Sequence, residues 1–158
     1  MAYRPALVVA SLIITMACGD SSTGGGTGCM ATDPLTVAAT VNGAAYCGAV
    51  DNAFIALGNL NVASTNAASA LSLNFGVDAT VGIKTIGPGV PLTFQVETSA
   101  GAIWIAAPSM AGSSGTLTVL TLTATSATGT FNFVAQPSPG SGATGSRTVL
   151  NGSFSVTF

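Results

Sequence analysis

Catalysis needs side chains that exchange protons, attack a substrate atom or hold a metal, and this 158-residue chain carries few of them. It has no histidine, three cysteines at 18, 29 and 47, and five carboxylates: Asp20, Asp33, Asp51, Asp78 and Glu97. Without histidine the usual nucleophile and base pairs cannot be assembled, and no serine sits in a nucleophile-elbow pattern. The cysteines are too widely spaced for a structural zinc site, and the spaced acids of a calcium-binding EF-hand are absent. Asp51-Asn52 reads either as part of a calcium loop or, more economically, as a turn. Asp78 and Glu97 both fall at ends of strand-like runs, where a glycosidase-type pair would have to flank a cleft and where solvated charges are also common. The expectation is therefore no catalytic residue, no metal and no cofactor. Trp104 is the residue to inspect for a ligand. In Ala102-Ile103-Trp104-Ile105-Ala106 it shares one face with two alanines, so it either lies outward as a stacking platform for a sugar ring or packs in the core.

The first residues read as an address. Arg4 is the only charge before an apolar run over 6–16, broken by Ser11 and Thr15 and closed by Ala17-Cys18. That is the layout of a secretory signal peptide over 1–17. The run is about half the ~20 apolar residues that a membrane-spanning helix needs. Thr15-Met16-Ala17-Cys18 resembles the lipobox of bacterial prelipoproteins, departing from it at Thr15, where that family prefers an aliphatic residue. The resemblance implies cleavage before Cys18 and attachment of lipid to its sulfur. Residues 18–33 are rich in Ser and Gly, a flexible tether; about fifteen such residues span roughly 20 Å. With Cys18 assigned to lipid, Cys29 and Cys47 remain as a pair. A disulfide between them would close a loop of about eighteen residues and contribute roughly 3 kcal/mol. The alternative is a buried Cys47 and a free Cys29.

Charged residues make up 5% of the chain, against about 25% in ordinary soluble domains. No basic cluster exists, so nucleic acid is not an expected partner. Residues 34–158 suit one domain. They read as short alternating runs separated by turn residues, with no helical period: 35–41, 44–50, 53–60, 70–77, 81–86, 92–97, 102–106, 115–125, 129–136 and 148–158. Asn42-Gly43 is a hairpin turn signal. In 116–123 the apolar set changes from odd to even positions, which a strict alternation cannot do, so a β-bulge is expected near Val119 and Leu120. The accompanying threonine row would stay outside. Regular threonine arrays on flat sheets can bind ice, although solvent-facing threonine on a strand needs no such role.

The last two runs echo each other and suggest an antiparallel hairpin with Phe131, Phe133, Phe154, Val156 and Phe158 facing the core. Val41-Asn42-Gly43, Thr128-Gly129-Thr130-Phe131-Asn132-Phe133 and Asn151-Gly152-Ser153-Phe154-Ser155-Val156 resemble a family of small exported bacterial β domains, commonly attached to lipoprotein signals. That resemblance implies a β fold and an envelope location, and carries over no catalytic residue.

The whole is an expected all-β chain: a signal helix, a tether, then an antiparallel β-sandwich of about 8–10 short strands. Its expected role is a non-catalytic interaction, structural or ligand-binding module, lipid-anchored at the bacterial cell envelope, with the outer membrane as the expected site and an envelope protein or a glycan as the expected kind of partner. Two alternatives stand beside it. Leu150, Phe154, Val156 and Phe158 resemble the C-terminal signature of outer-membrane β-barrels, and a carbohydrate-binding or hydrolytic domain is the other reading.

Overall fold

Side chains that alternate between apolar and small polar residues along a strand must put one set on each face of a sheet. The computed structural model describes residues 34–158, and there the alternation is carried by ten antiparallel strands. The expected signal helix, Cys18, the tether and Cys29 lie outside the described residues. The strands are β1 (Thr36–Val41), β2 (Ala44–Ala56), β3 (Asn59–Asn66), β4 (Leu71–Asp78), β5 (Gly82–Thr85), β6 (Thr93–Thr98), β7 (Ile103–Ala106), β8 (Ser114–Leu122), β9 (Ser126–Pro137) and β10 (Arg147–Thr157). No helix occurs among the described residues.

The expected sandwich is corrected to a barrel. β10 pairs with β1 on one side and with β9 on the other, and β9 in turn pairs with β7. The circuit β1-β2-β3-β4-β6-β7-β9-β10 therefore closes on itself in eight strands, without the open edges that would separate two sheets. β8 pairs with β9 above β7, on the same edge, and β5 extends from β8. Alternation is identical in a sandwich and a barrel, so the sequence pattern did not distinguish them. What permits closure is the inner surface. Gly48, Gly129 and Gly152 face inward, and a Cβ at these positions would overlap the rings of Tyr46, Phe154 and Phe131 respectively. Small residues beneath large ones fit the taper of a small barrel. Three bulges add curvature: Asp51 in β2, Leu120 in β8 and the Leu150-Asn151 step in β10, where Asn151 takes φ 52°. The bulge at Leu120 is the one expected from the change of parity.

The interior is solid. Phe75 on β4 and Phe154 on β10, which face each other across the barrel, have ring centroids 5.0 Å apart. Phe94 stacks on Phe133 at 4.2 Å, and Phe131 bridges Phe75 and Phe94. Each such buried ring removed would cost about 3–5 kcal/mol. The buried hydroxyls of Ser64 and Tyr46 are bonded: the Ser64 hydroxyl donates to the Leu73 carbonyl, and the Tyr46 hydroxyl reaches both the Ser64 carbonyl and its Oγ. Burial pushes the Tyr46 phenol above its ordinary value, opposed by its bonds to Ser64 and near Leu73.

The outer surface is mostly Thr, Ser, Asn, Gln and Ala. Apolar inside and polar outside is the reverse of a transmembrane barrel, whose lipid-facing side is apolar. The residues that resemble the outer-membrane signature do not share a face: the bulge in β10 turns Leu150 outward while Phe154 and Val156 point in. We call the end where Pro34 and Leu35 enter the rim, and the opposite end, with Asn42-Gly43 and the 138–146 loop, the base.

Candidate functional site

Aromatic rings fill the barrel interior among the described residues, and the outer wall carries several hollows, one of them across β3, β4 and β6. Across β3, β4 and β6, neighbouring outward positions are Asn61, Gly76 and Thr93 in one row and Ala63, Asn74 and Gln95 in the next. Gly76 contributes no side chain and Ala63 a single methyl. The wall is therefore depressed between taller neighbours, forming a groove of about 280 Å³ walled by Phe54 on one flank and Ile105 on the other. Phe54 is 43% exposed, presenting a ring that the core does not use. It sits opposite Asn61 in the β2–β3 hairpin.

The polar groups of the groove are neutral. Asn61 donates its Nδ2 to the Asn59 carbonyl, which leaves its Oδ1 near the floor. Gln95 donates its Nε2 to Glu97 at 3.1 Å, leaving its own carbonyl oxygen to accept. No ionisable residue lines the groove. Toward the base the wall continues into a larger, more polar depression of about 440 Å³ lined by Thr65, Ser72, Glu97 and Thr98. The lining thus offers amide and hydroxyl groups spaced by strand geometry, with an aromatic flank. Amide and hydroxyl groups beside an exposed aromatic ring are chemistry that can hydrogen-bond hydroxyls and stack an apolar face.

No known family, curated protein or solved structure matches this chain. The short motifs noted in the sequence have local structural roles here. Asn42-Gly43 makes the β1–β2 turn with φ 48° and 83°, and the Phe131 and Phe133 positions fill the barrel.

Trp104 is 4% exposed on the inner side of β7, and its two isoleucine neighbours face outward, the inverse of the orientation that would make it a platform. Its Nε1 donates to the Gly145 carbonyl at 2.8 Å, and the Arg147 guanidinium stacks on the ring at 4.2 Å. The tryptophan closes the base and fastens the long loop before β10. Asp78 and Glu97 are not brought together: Glu97 is level with Ser72, six residues or about 20 Å along the strand from Asp78. Asp78 pairs instead with Lys84 at 3.9 Å. Asp51 is the extra residue of the β2 bulge. Cys47 lies half-buried on β2 opposite Ala38. Among the described residues, no group of three His, Cys, Asp or Glu could hold a metal. The outer threonines of β8 and β9 do form a row, Thr118 with Thr130 and Thr121 with Thr128, but the Leu120 bulge breaks its spacing.

Sequence reasoning missed the groove because it missed β3. Leu57-Gly58 turns the chain with φ 52° and 78°, where a leucine does not signal a turn, so 53–60 read as one strand. The usable signal was amides at alternate positions, Asn59 and Asn61, followed by Asn74 and Gln95.

Proposed function

We propose that this chain is an exported, lipid-anchored protein of the bacterial cell envelope that binds a neutral saccharide on the outside of its barrel and performs no chemistry on it. The observation that carries the binding half is the uncharged groove above Gly76, with Phe54 standing free beside the amides of Asn61, Asn74 and Gln95. A filled interior supports an external site, and an ion-free lining supports a neutral ligand. The polar wall supports a barrel held at the outer membrane by an anchor over one that spans it. The anchor rests on the leader over 1–17, on Cys18 and on the Ser/Gly tether over 18–33. A Cys29–Cys47 disulfide would strap that tether to β2; non-reducing mass measurement decides it, and two free thiols would end it.

The binding reading is tested by calorimetric titration with a panel of neutral oligosaccharides and their uronic-acid counterparts. Binding of a neutral member, weakened about tenfold or more in Phe54→Ala by loss of one stacking contact, is the expected result. Silence across the panel, or preference for the acidic sugars, overturns it. Fractionation tests the anchor: Cys18→Ser should leave the membrane fraction, and its recovery there at the unsubstituted level would contradict lipidation.

A further inference from the structure

Outward positions on neighbouring strands form rows across a sheet, and the rows repeat every two residues, about 6.6 Å along the strand. On this wall Asn61, Gly76 and Thr93 make a first row, Ala63, Asn74 and Gln95 a second, and Thr65, Ser72 and Glu97 a third. The first two floor the groove of about 280 Å³, and the third floors the depression of about 440 Å³. Successive rows of one sheet therefore carry the two hollows, with no loop between them.

The side chains where they meet are low. Gln95 Nε2 in the second row donates to Glu97 Oε2 in the third at 3.1 Å, so these two side chains lie along β6. The Thr65 and Ser72 hydroxyls bond each other at 3.1 Å across the third row. Ala67, Ala70 and Gly101 line the base end, which leaves it without a side-chain wall. From Asn61 to Ala67 the floor runs six residues, or about 20 Å. One long side is apolar: Ile105 stands level with Gln95 and Ile103 with Glu97, both half-buried on the outer face of β7. On the opposite side Phe54 stands beside the first row.

We infer that the two hollows are one trough for a linear neutral oligosaccharide of three or more rings, its chain parallel to the strands. This rests on the saccharide reading above and adds the length and direction of the ligand. The ring beside Phe54 stacks on it. The following rings bond Asn74 and Gln95, then Ser72 and Glu97, while their C–H edges lie against Ile105 and Ile103. Glu97 accepts from Gln95 with one oxygen, and its second takes a sugar hydroxyl in a charge-assisted bond. The same carboxylate repels a uronic acid. An extended peptide has a similar repeat, but β3, β4 and β6 are each paired on both sides, so the floor offers a peptide main chain no backbone groups to pair with.

The test titrates the protein in a calorimeter with neutral glucose oligomers of one to six rings, in β-1,4-, β-1,3- and α-1,4-linked series. The expected result is that, in one series, affinity rises roughly tenfold or more between two rings and four and then levels off. Thr65→Ile/Ser72→Ile fills the depression from the outer face, where β-branched residues suit a strand and the fold is retained. That variant should bind four rings about as weakly as the parent binds two. Affinity that is flat beyond two rings, or a length dependence that the variant keeps, overturns the trough and leaves the groove as a site for a short saccharide. Silence of every oligomer overturns the trough, and the groove reading then stands or falls on the wider saccharide panel above. Binding of an extended Ser- and Asn-rich peptide in place of the sugars, lost in Phe54→Ala, would assign this face to protein and overturn both readings.

Discussion

Replacing Gly76 by valine separates the demands of the fold from those of the groove. Gly76 lies in the middle of β4, and its φ is outside the left-handed region, so a side chain there meets no backbone strain. An added Cβ lies 3.2 Å from Asn61 Oδ1 and 3.6 Å from Thr93 Oγ1. The first contact is tight, but it is the end of a side chain that can rotate by a few tenths of an ångström. Against it stands the gain from a β-branched residue in place of glycine, about 0.5–1 kcal/mol. The net expectation is a domain as stable as before or up to about 1 kcal/mol more stable, read from urea unfolding. The two methyls stand on the groove floor and lift a bound ring away from Asn74 and Gln95. Losing two hydrogen bonds of about 1 kcal/mol each corresponds to roughly thirtyfold weaker binding in the calorimeter. A Gly76→Val protein that binds as tightly as its parent, or one destabilised by more than about 1 kcal/mol, would refute this reasoning.

Gly152→Ala should act in the opposite sense, because its Cβ would enter the Phe131 ring inside a packed barrel. A cost of about 3 kcal/mol is expected, a fall in Tm of roughly 10 °C, with partial relief in Gly152→Ala/Phe131→Leu. Tyr46 gives a pH prediction. Its folded pKa is raised by burial, so its contribution to stability is complete below pH ~10 and is lost as pH rises through the folded value. Urea unfolding should weaken above pH ~10 in the parent and more shallowly in Tyr46→Phe. Tyr3 is the only other tyrosine, so the tyrosinate absorbance of a Tyr3→Phe chain reports Tyr46 alone. Tyr46→Phe should also cost about 1–2 kcal/mol at neutral pH by leaving the Ser64 groups short of a partner.

Some of the fold was legible because its cause is local. Asn42-Gly43 dictates its own turn, the parity change at Leu120 can be accommodated only by a bulge, and the Phe131, Phe133, Phe154 and Val156 alternation places those residues inside a β9–β10 hairpin. Closure was not legible, because it depends on which distant edges meet: β10 finding β1 across more than a hundred residues is a pairing that no alternation encodes. The β2–β3 turn was hidden by Leu57, and with it went β3 and the row of amides. Trp104 was ambiguous because Ile-Trp-Ile is apolar on both faces, and its bond to Gly145 joins segments 41 residues apart. The groove itself arises from what is missing. A glycine at 76 is a single unremarkable letter until Asn61 and Thr93 stand on either side of it.

The most direct test of a saccharide site on the outside of a solid barrel is amide chemical-shift mapping of the protein during titration with a neutral oligosaccharide that it binds. The largest shifts are expected at Phe54, Asn61, Asn74, Gly76, Thr93 and Gln95, which share one outer face across β2, β3, β4 and β6. Shifts concentrated at Trp104, Gly145 and the 138–146 loop, with the groove unmoved, would contradict the account.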